Sequence, residues 1–268
     1  ALRRAAQMHP DAHALVVERA GHTKHWTWSD YLHEATTVGK ALIATGVQPW
    51  EGVMLYGFNS PEWFMGAVGT MMAGAIPAGI YPTDTAAHVV YKTNKSGARV
   101  MFVDHEAKID KLLSPGTLAQ MPRLELIVTF DNAALKFHER EREPTSNSSS
   151  PAKNAKPVHV LTWAEFLLKG TATDASSHLA QSLEARRRTP ETCAVYIFTS
   201  GTTGLPKPVM LTHDNLNWEA RVINRLVPGG FGQSGQERYV SYLPLSHVAA
   251  LMVDLVSPIF VTADSDKA

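Results

Sequence analysis

Thr199-Ser200-Gly201-Thr202-Thr203-Gly204-Leu205-Pro206-Lys207 places four hydroxyls, two glycines and one lysine within nine residues. That composition handles phosphate. Glycine lets the backbone take up positive φ and approach a ligand closely, successive N–H groups form an anion-binding nest, the hydroxyls add donors, and lysine supplies a point charge. Before it, Cys193 to Phe198 reads as a buried strand; after it, Val209-Met210-Leu211 resumes an apolar run, so the loop is predicted to hang between ordered elements. A Walker A loop needs glycine directly before its lysine and Ser or Thr after it, whereas Lys207 is flanked by Pro206 and Pro208. No G-x-G-x-x-G follows a predicted strand, which excludes the dinucleotide fingerprint. A solvated Ser/Thr/Gly surface loop is the bland alternative.

Outward from the loop, apolar β-rich runs alternate with helix-like segments. The runs are Val53 to Phe58, Ala75 to Tyr81, Val100 to Asp104, Leu124 to Phe130, Val158 to Leu161, Cys193 to Thr199 and Tyr239 to Leu243. This alternation predicts an α/β fold with parallel-rich sheets flanked by helices. Thr27 with Asp30 and Thr162 with Glu165 have capping-box spacing, so helices are predicted over about 28 to 45 and 163 to 169. Thr212, with Asp214 in the first turn, opens another through about Leu226. Trp63, Trp163 and Trp218 fall at helical positions where core packing is the common use of an indole.

Phe64 to Tyr81 reaches membrane-span length, but five of its residues are glycine or proline and Pro77 divides it into a helix and a strand. Ser60 is placed to cap that helix, Pro61 suits its first position, Glu62 complements its dipole, and Gly66, Gly69 and Ala73 suit close packing on a sheet. Residues 139 to 157 hold a Glu/Arg run followed by Ser, Pro and Lys among small residues, and are predicted to be a disordered surface insertion.

At 268 residues with 44% apolar content, the chain can bury a core of one large or two smaller domains. Twenty-five basic residues balance 25 acidic ones, so no global field argues for nucleic acid or an anionic membrane surface. Arg186-Arg187-Arg188 is the one dense basic run and reads as a solvated face or linker. Cys193 is the single cysteine and reads as a buried inert thiol. The twelve histidines show neither H-E-x-x-H nor zinc spacing with cysteine, and Ser200 has no G-x-S-x-G elbow, so neither a protein-held metal nor hydrolase chemistry is supported. No signal peptide is visible.

Phe198 to Lys207, continuing through Val209-Met210-Leu211-Thr212-His213, resembles the phosphate loop of the adenylate-forming (AMP-binding) superfamily. Gly57 to Phe64, Ala78-Gly79-Ile80-Tyr81 and Ser241 to Ala250 are most similar to long-chain acyl-CoA synthetases of the bubblegum type. The resemblance runs from about the N-terminus to about Val256, broken around residues 131 to 157. It implies an ATP-dependent long-chain fatty acid–CoA ligase, represented over 1–268 by part of an AMP-binding N-terminal domain. The rest of the large domain and the C-terminal lid domain are expected to be absent from it. A catalytically incompetent truncated homologue that binds at most nucleotide phosphate or a partner protein is the competing expectation.

By resemblance, Thr199, Ser200, Gly201, Thr202, Thr203, Gly204 and Lys207 bind nucleotide phosphate, and Thr199, Lys207 and His247 form the catalytic set. His247, in Pro-Leu-Ser-His, matches the position beside the acyl carboxylate, against the alternative of a structural histidine. His213 reads as a helix-start residue. ATP, Mg2+ and CoA are implied as cofactors, and fatty acid as substrate. A cytoplasmic or peripheral membrane location is favoured because long-chain substrates partition into bilayers. Pro208 departs from the glycine most relatives carry after the loop lysine, so the loop exit is expected to differ locally or to be strained.

Overall fold

The computed structural model describes residues 1–131, 139–140, 157–171, 176–199, 204–226 and 237–264. Its strands are β1 (His13–Arg19), β2 (His22–Thr27), β3 (Gly52–Tyr56), β4 (Ile76–Ile80), β5 (Val100–Val103), β6 (Leu126–Thr129), β7 (Glu139–Arg140), β8 (Val158–Thr162), β9 (Cys193–Phe198) and β10 (Pro208–Thr212). The helices are α1 (Leu2–Met8), α2 (Trp28–Ala44), α3 (Pro61–Met72), α4 (Ala86–Lys95), α5 (Glu106–Leu112), α6 (Pro115–Leu118), α7 (Trp163–Thr171), α8 (Ser176–Ala185), α9 (His213–Leu226), α10 (Val248–Ala250) and α11 (Ser257–Asp264), with a π-helical turn over Leu251–Val256 between the last two.

β1 and β2 form an antiparallel hairpin; the other strands form one sheet in the order β10-β9-β4-β3-β5-β6-β8-β7. Its six inner strands are parallel, and β10 and β7 close the two edges antiparallel. Parallel strands are buried on both faces, which is why they read as continuous apolar runs rather than alternating ones. In β3, Val53 and Leu55 face one core while Met54 and Tyr56 face another. The first core is covered by α2, α3 and α7, the second by α4, α5 and α6.

The helix starts follow their local chemistry. Thr27 and Asp30 make the reciprocal capping box of α2. Thr162 and Glu165 do the same for α7, with Glu165 N–H donating to Thr162 Oγ and Thr162 N–H donating to Glu165. Ser60 caps α3, with Pro61 at its first position. Glu62 is buried there, and Arg19 of β1 donates to both its oxygens, at 2.8 and 2.6 Å. Glu34 of α2 accepts two indole N–H groups, from Trp26 at 2.9 Å and from Trp163 at 2.8 Å.

Several expectations need correction. The break between α3 and β4 falls at Gly74, whose φ of +72° suits glycine, and Pro77 sits inside β4 opposite Val53. Gly66 faces the sheet at Leu55 and Phe102, but Gly69 faces α2: a Cβ there would stand 2.5 Å from Val38 Cγ1. Among the described residues Tyr239 to Leu243 pairs with no strand. Leu243 O accepts instead from the Asn59 side chain, and Val240 and Tyr242 are exposed. Trp218 is 61% exposed, because α9 packs through Leu216 and Ala220. Cys193 is half-buried rather than buried, and burial pushes its thiol pKa up.

The arginine run is no solvated linker either. Arg186 donates to the Val47 and Ala73 carbonyls, and Arg188 donates to Gly74 O and stacks 3.9 Å from the Trp50 ring. Only Arg187 keeps the expected exposed role, against Glu184. These contacts hold Trp50 at a φ of +72°, a conformation unusual for a bulky residue. Of the expected insertion, Glu139 and Arg140 pair with β8, and residues 141–156 lie outside the described residues. Among the described residues no helix is long and apolar enough to cross a membrane.

Candidate functional site

β9 and β10 form a hairpin whose connection is the Thr199 to Lys207 loop. Thr199 N–H donates to Lys207 O at 3.0 Å, and Lys207 N–H donates to Thr199 Oγ at 3.3 Å. The two residues at the ends of the motif are therefore clasped to each other, and both are exposed. Ser200, Gly201, Thr202 and Thr203 lie outside the described residues. A Cβ added at Gly204 would meet open space. Pro208 opens β10 opposite Phe198, and no positive φ occurs from Gly204 to Thr212. Proline fits the first residue of an edge strand, so the expected strain is absent there.

The loop leaves the carboxyl end of β9, which neighbours β4 in the sheet. Carboxyl ends of parallel strands are where open α/β sheets bind ligands, at points where successive connections run to opposite faces. α3, which follows β3, packs in the first core, and α4, which follows β4, packs in the second. By that rule the crevice falls between β3 and β5, where the strand order reverses, and β4 stands between it and β9 with its loop.

The His247 segment lies against β4. A Cβ on Gly79 would stand 2.7 Å from Ser246 Cα, so only glycine admits this approach. Asn59, just past β3, fixes the same segment: it donates to Ser241 Oγ and Leu243 O, each at 2.8 Å, and accepts Leu245 N–H at 3.0 Å. Ser241 Oγ in turn donates to Asp254 Oδ2 at 2.6 Å, where burial raises the carboxyl pKa against that hydrogen bond. His247 is the N-cap of α10, its Nδ1 accepting Ala249 N–H at 3.1 Å. In the neutral ring that leaves the proton on Nε2, an exposed donor. His247 therefore caps α10 through Nδ1, and among the described residues no hydrogen-bond partner meets its Nε2.

His213 stands at the first position of α9, its backbone N–H on Thr192 O. Burial, with Arg188 and the chain's amino terminus nearby, holds its pKa below the usual range. Two ion pairs that sequence reading missed line the same carboxyl ends on the second face. Asp104 accepts Phe58 N–H at 2.9 Å and Lys108 Nζ at 2.7 Å; Asp84 accepts Tyr81 N–H at 3.2 Å and Lys92 Nζ at 2.5 Å. Tyr56 stands near both carboxylates, and its pKa is raised by burial first and by Asp84 and Asp104 next. Each aspartate follows a strand by one to four residues, which was the only local signal available.

The AMP-binding enzyme model matches residues 2–264. The chain belongs to the AMP-binding enzyme family. Among curated relatives, long-chain-fatty-acid–CoA ligase ACSBG2 of Xenopus laevis is 32% identical over 242 residues, covering 90% of this chain and 30% of that protein. Human ACSBG1 is 34% identical over 245 residues, covering 91% of this chain and 30% of that protein. Both are ligases of the bubblegum type. The chain thus spans about 30% of the length of these relatives.

Solved structures share the fold. The o-succinylbenzoate CoA synthetase of Bacillus subtilis in complex with AMP superposes with a TM-score of 0.61 at 15% identity, over 97% of this chain and 53% of that one. The fatty acyl-adenylate ligase of L. pneumophila, in complex with acyl adenylate and pyrophosphate, gives 0.61 at 17% identity, over 97% of this chain and 37% of that one.

Proposed function

We propose that this chain carries the nucleotide-phosphate side of an ATP-dependent long-chain fatty acid–CoA ligase. In that reaction a fatty carboxylate attacks the α-phosphorus of ATP, releasing pyrophosphate and forming an acyl-adenylate, and the thiol of CoA then displaces AMP. The observation that supports this reading is the Thr199 to Lys207 loop, clasped at its ends and mounted at the carboxyl end of a parallel strand. A loop of donors fixed before the reaction stabilises charge that shifts onto the leaving pyrophosphate without reorganising.

Thr199 and Lys207 are assigned to the β- and γ-phosphates, with Ser200, Gly201, Thr202, Thr203 and Gly204 completing the nest. His247, through Nε2–H, is assigned to the substrate carboxylate. Magnesium enters with ATP as its counter-ion; among the described residues no group of three or more His, Cys, Asp or Glu side chains gathers to hold a metal. CoA and fatty acid are proposed from the kinship with the long-chain ligases.

The test is palmitate-dependent ATP–pyrophosphate exchange by the purified chain with magnesium, beside a Lys207→Ala control. Exchange that falls about a hundredfold in the control supports adenylation at this loop, the usual scale for losing one preorganised donor. Folded protein with no exchange supports the second reading, a chain that binds nucleotide phosphate without turnover.

A further inference from the structure

Lys92 of α4 is buried in the second core, its side chain 2% exposed. Its Nζ donates to Asp84 Oδ2 and stands 5.0 Å from the Tyr81 ring centroid and 5.4 Å from that of Phe198. Asp84 is engaged on its other sides, by Tyr81 N–H at 3.2 Å and by His88 Nδ1 at 3.8 Å. An ammonium leaves water only where partners replace it, and here they come from separate elements. Tyr81 and Asp84 belong to the turn after β4, and Phe198 is the last residue of β9.

The backbone pairing between those two strands is thin. β4 and β9 share the single register pair Ala78 and Tyr196, whereas β3 and β4 share five. Pro77 has no N–H to add to it. A cation between two aromatic faces closes the seam where the ladder does not, each such contact contributing about 1 kcal/mol or more when desolvated. Phe198 directly precedes Thr199, whose N–H clasps Lys207 O.

We propose that Lys92, paired with Asp84, is a positioning residue for the phosphate loop. Seated between Tyr81 and Phe198, it fixes the end of β9 against β4 and so sets where Thr199 and Lys207 stand. The functional part of this inference rests on the loop being the nucleotide site; the mechanical part does not.

The experiment is hydrogen exchange at the Thr199 amide, with Phe102 of β5 as the internal reference, beside calorimetric titration with ATP and magnesium. The variant is Lys92→Met combined with Asp84→Asn, which leaves no charge unpaired in the core. Exchange at Thr199 is expected to rise about tenfold or more while that at Phe102 holds, as for a local opening rather than global unfolding. Phe198→Leu, which removes one ring and leaves both charges, is expected to raise Thr199 exchange in the same selective way, and it serves if the double variant does not fold. Equal changes at Thr199 and Phe102, or none at Thr199, would overturn the proposal. A wild-type chain that binds no ATP, with Thr199 still responding to the variants, removes the nucleotide reading and leaves the positioning intact.

Discussion

Every residue from Pro61 to Thr70 in α3 is buried, whereas α9, two residues longer, buries Leu216 and Ala220 and leaves Trp218 61% and Leu226 75% exposed. α3 lies between α2 and the sheet, and glycines at 66 and 69 let both neighbours approach its backbone. α9 has one covered face. Beside it, Val209 and Met210 on β10 and Tyr239, Val240 and Tyr242 further on are also exposed apolar residues. One flank of the sheet is packed, and the other, which carries the Thr199 to Lys207 loop, leaves these apolar side chains exposed among the described residues. Substitutions of equal size should therefore have unequal effects on the two flanks.

The largest effect is expected at Gly69. A methyl there would stand 2.5 Å from Val38 Cγ1 and 2.7 Å from the Ala35 carbonyl oxygen, so α2 and α3 must move apart. Gly69→Ala is expected to lower the unfolding free energy in urea by about 3 kcal/mol, the upper range for overpacking. A loss below a few tenths would mean that the packed flank is looser than its contacts imply. Next comes Glu62→Gln, which keeps the shape and removes the charge that receives both Arg19 hydrogen bonds. About 2 kcal/mol is expected, the scale of hydrogen bonds to charged groups, with detachment of the β1–β2 hairpin seen as faster amide exchange there.

On the other flank the effects should be smaller. His213 has a depressed pKa in the folded chain, so the unfolded chain binds the proton more readily. Its contribution to stability is full above the ordinary histidine pKa of about 6.5 and is lost as pH falls from there through the folded value. Denaturation followed from pH 8 to 5 should show this decline, and His213→Gln should flatten it. Trp218→Ser is expected to change stability by less than about 0.5 kcal/mol, as exposed substitutions do, while reducing self-association measured by light scattering. A loss comparable to that of Gly69→Ala would mean that α9 is covered in solution.

The packed flank was also the legible one. Its strands announce themselves as apolar runs because both faces are buried, and its helices because Thr27 with Asp30 and Thr162 with Glu165 carry their start signals within four residues. The clasp between Thr199 and Lys207 joins the two ends of the nine-residue stretch that the sequence singles out. Tyr239 to Leu243 was misread because a strand needs an edge to pair with, and composition does not say whether one is near. Arg186 and Arg188 were misread because the carbonyls they reach, at Val47, Ala73 and Gly74, are more than a hundred residues away. Asn59 and Lys92 escaped notice on the same ground: their roles are defined by partners that only the fold supplies.

The two indoles on Glu34 give the molecule a built-in reporter of its own assembly. Trp26 reaches that carboxylate from eight residues away and Trp163 from 129, so one bond forms with local structure and the other only once a long loop has closed. In a refolding time course, Trp163 kept as the single fluorophore marks when α7 meets α2, and Trp26 kept alone marks when the amino-terminal hairpin does. The interval between the two signals times the arrival of the distant half of the sheet.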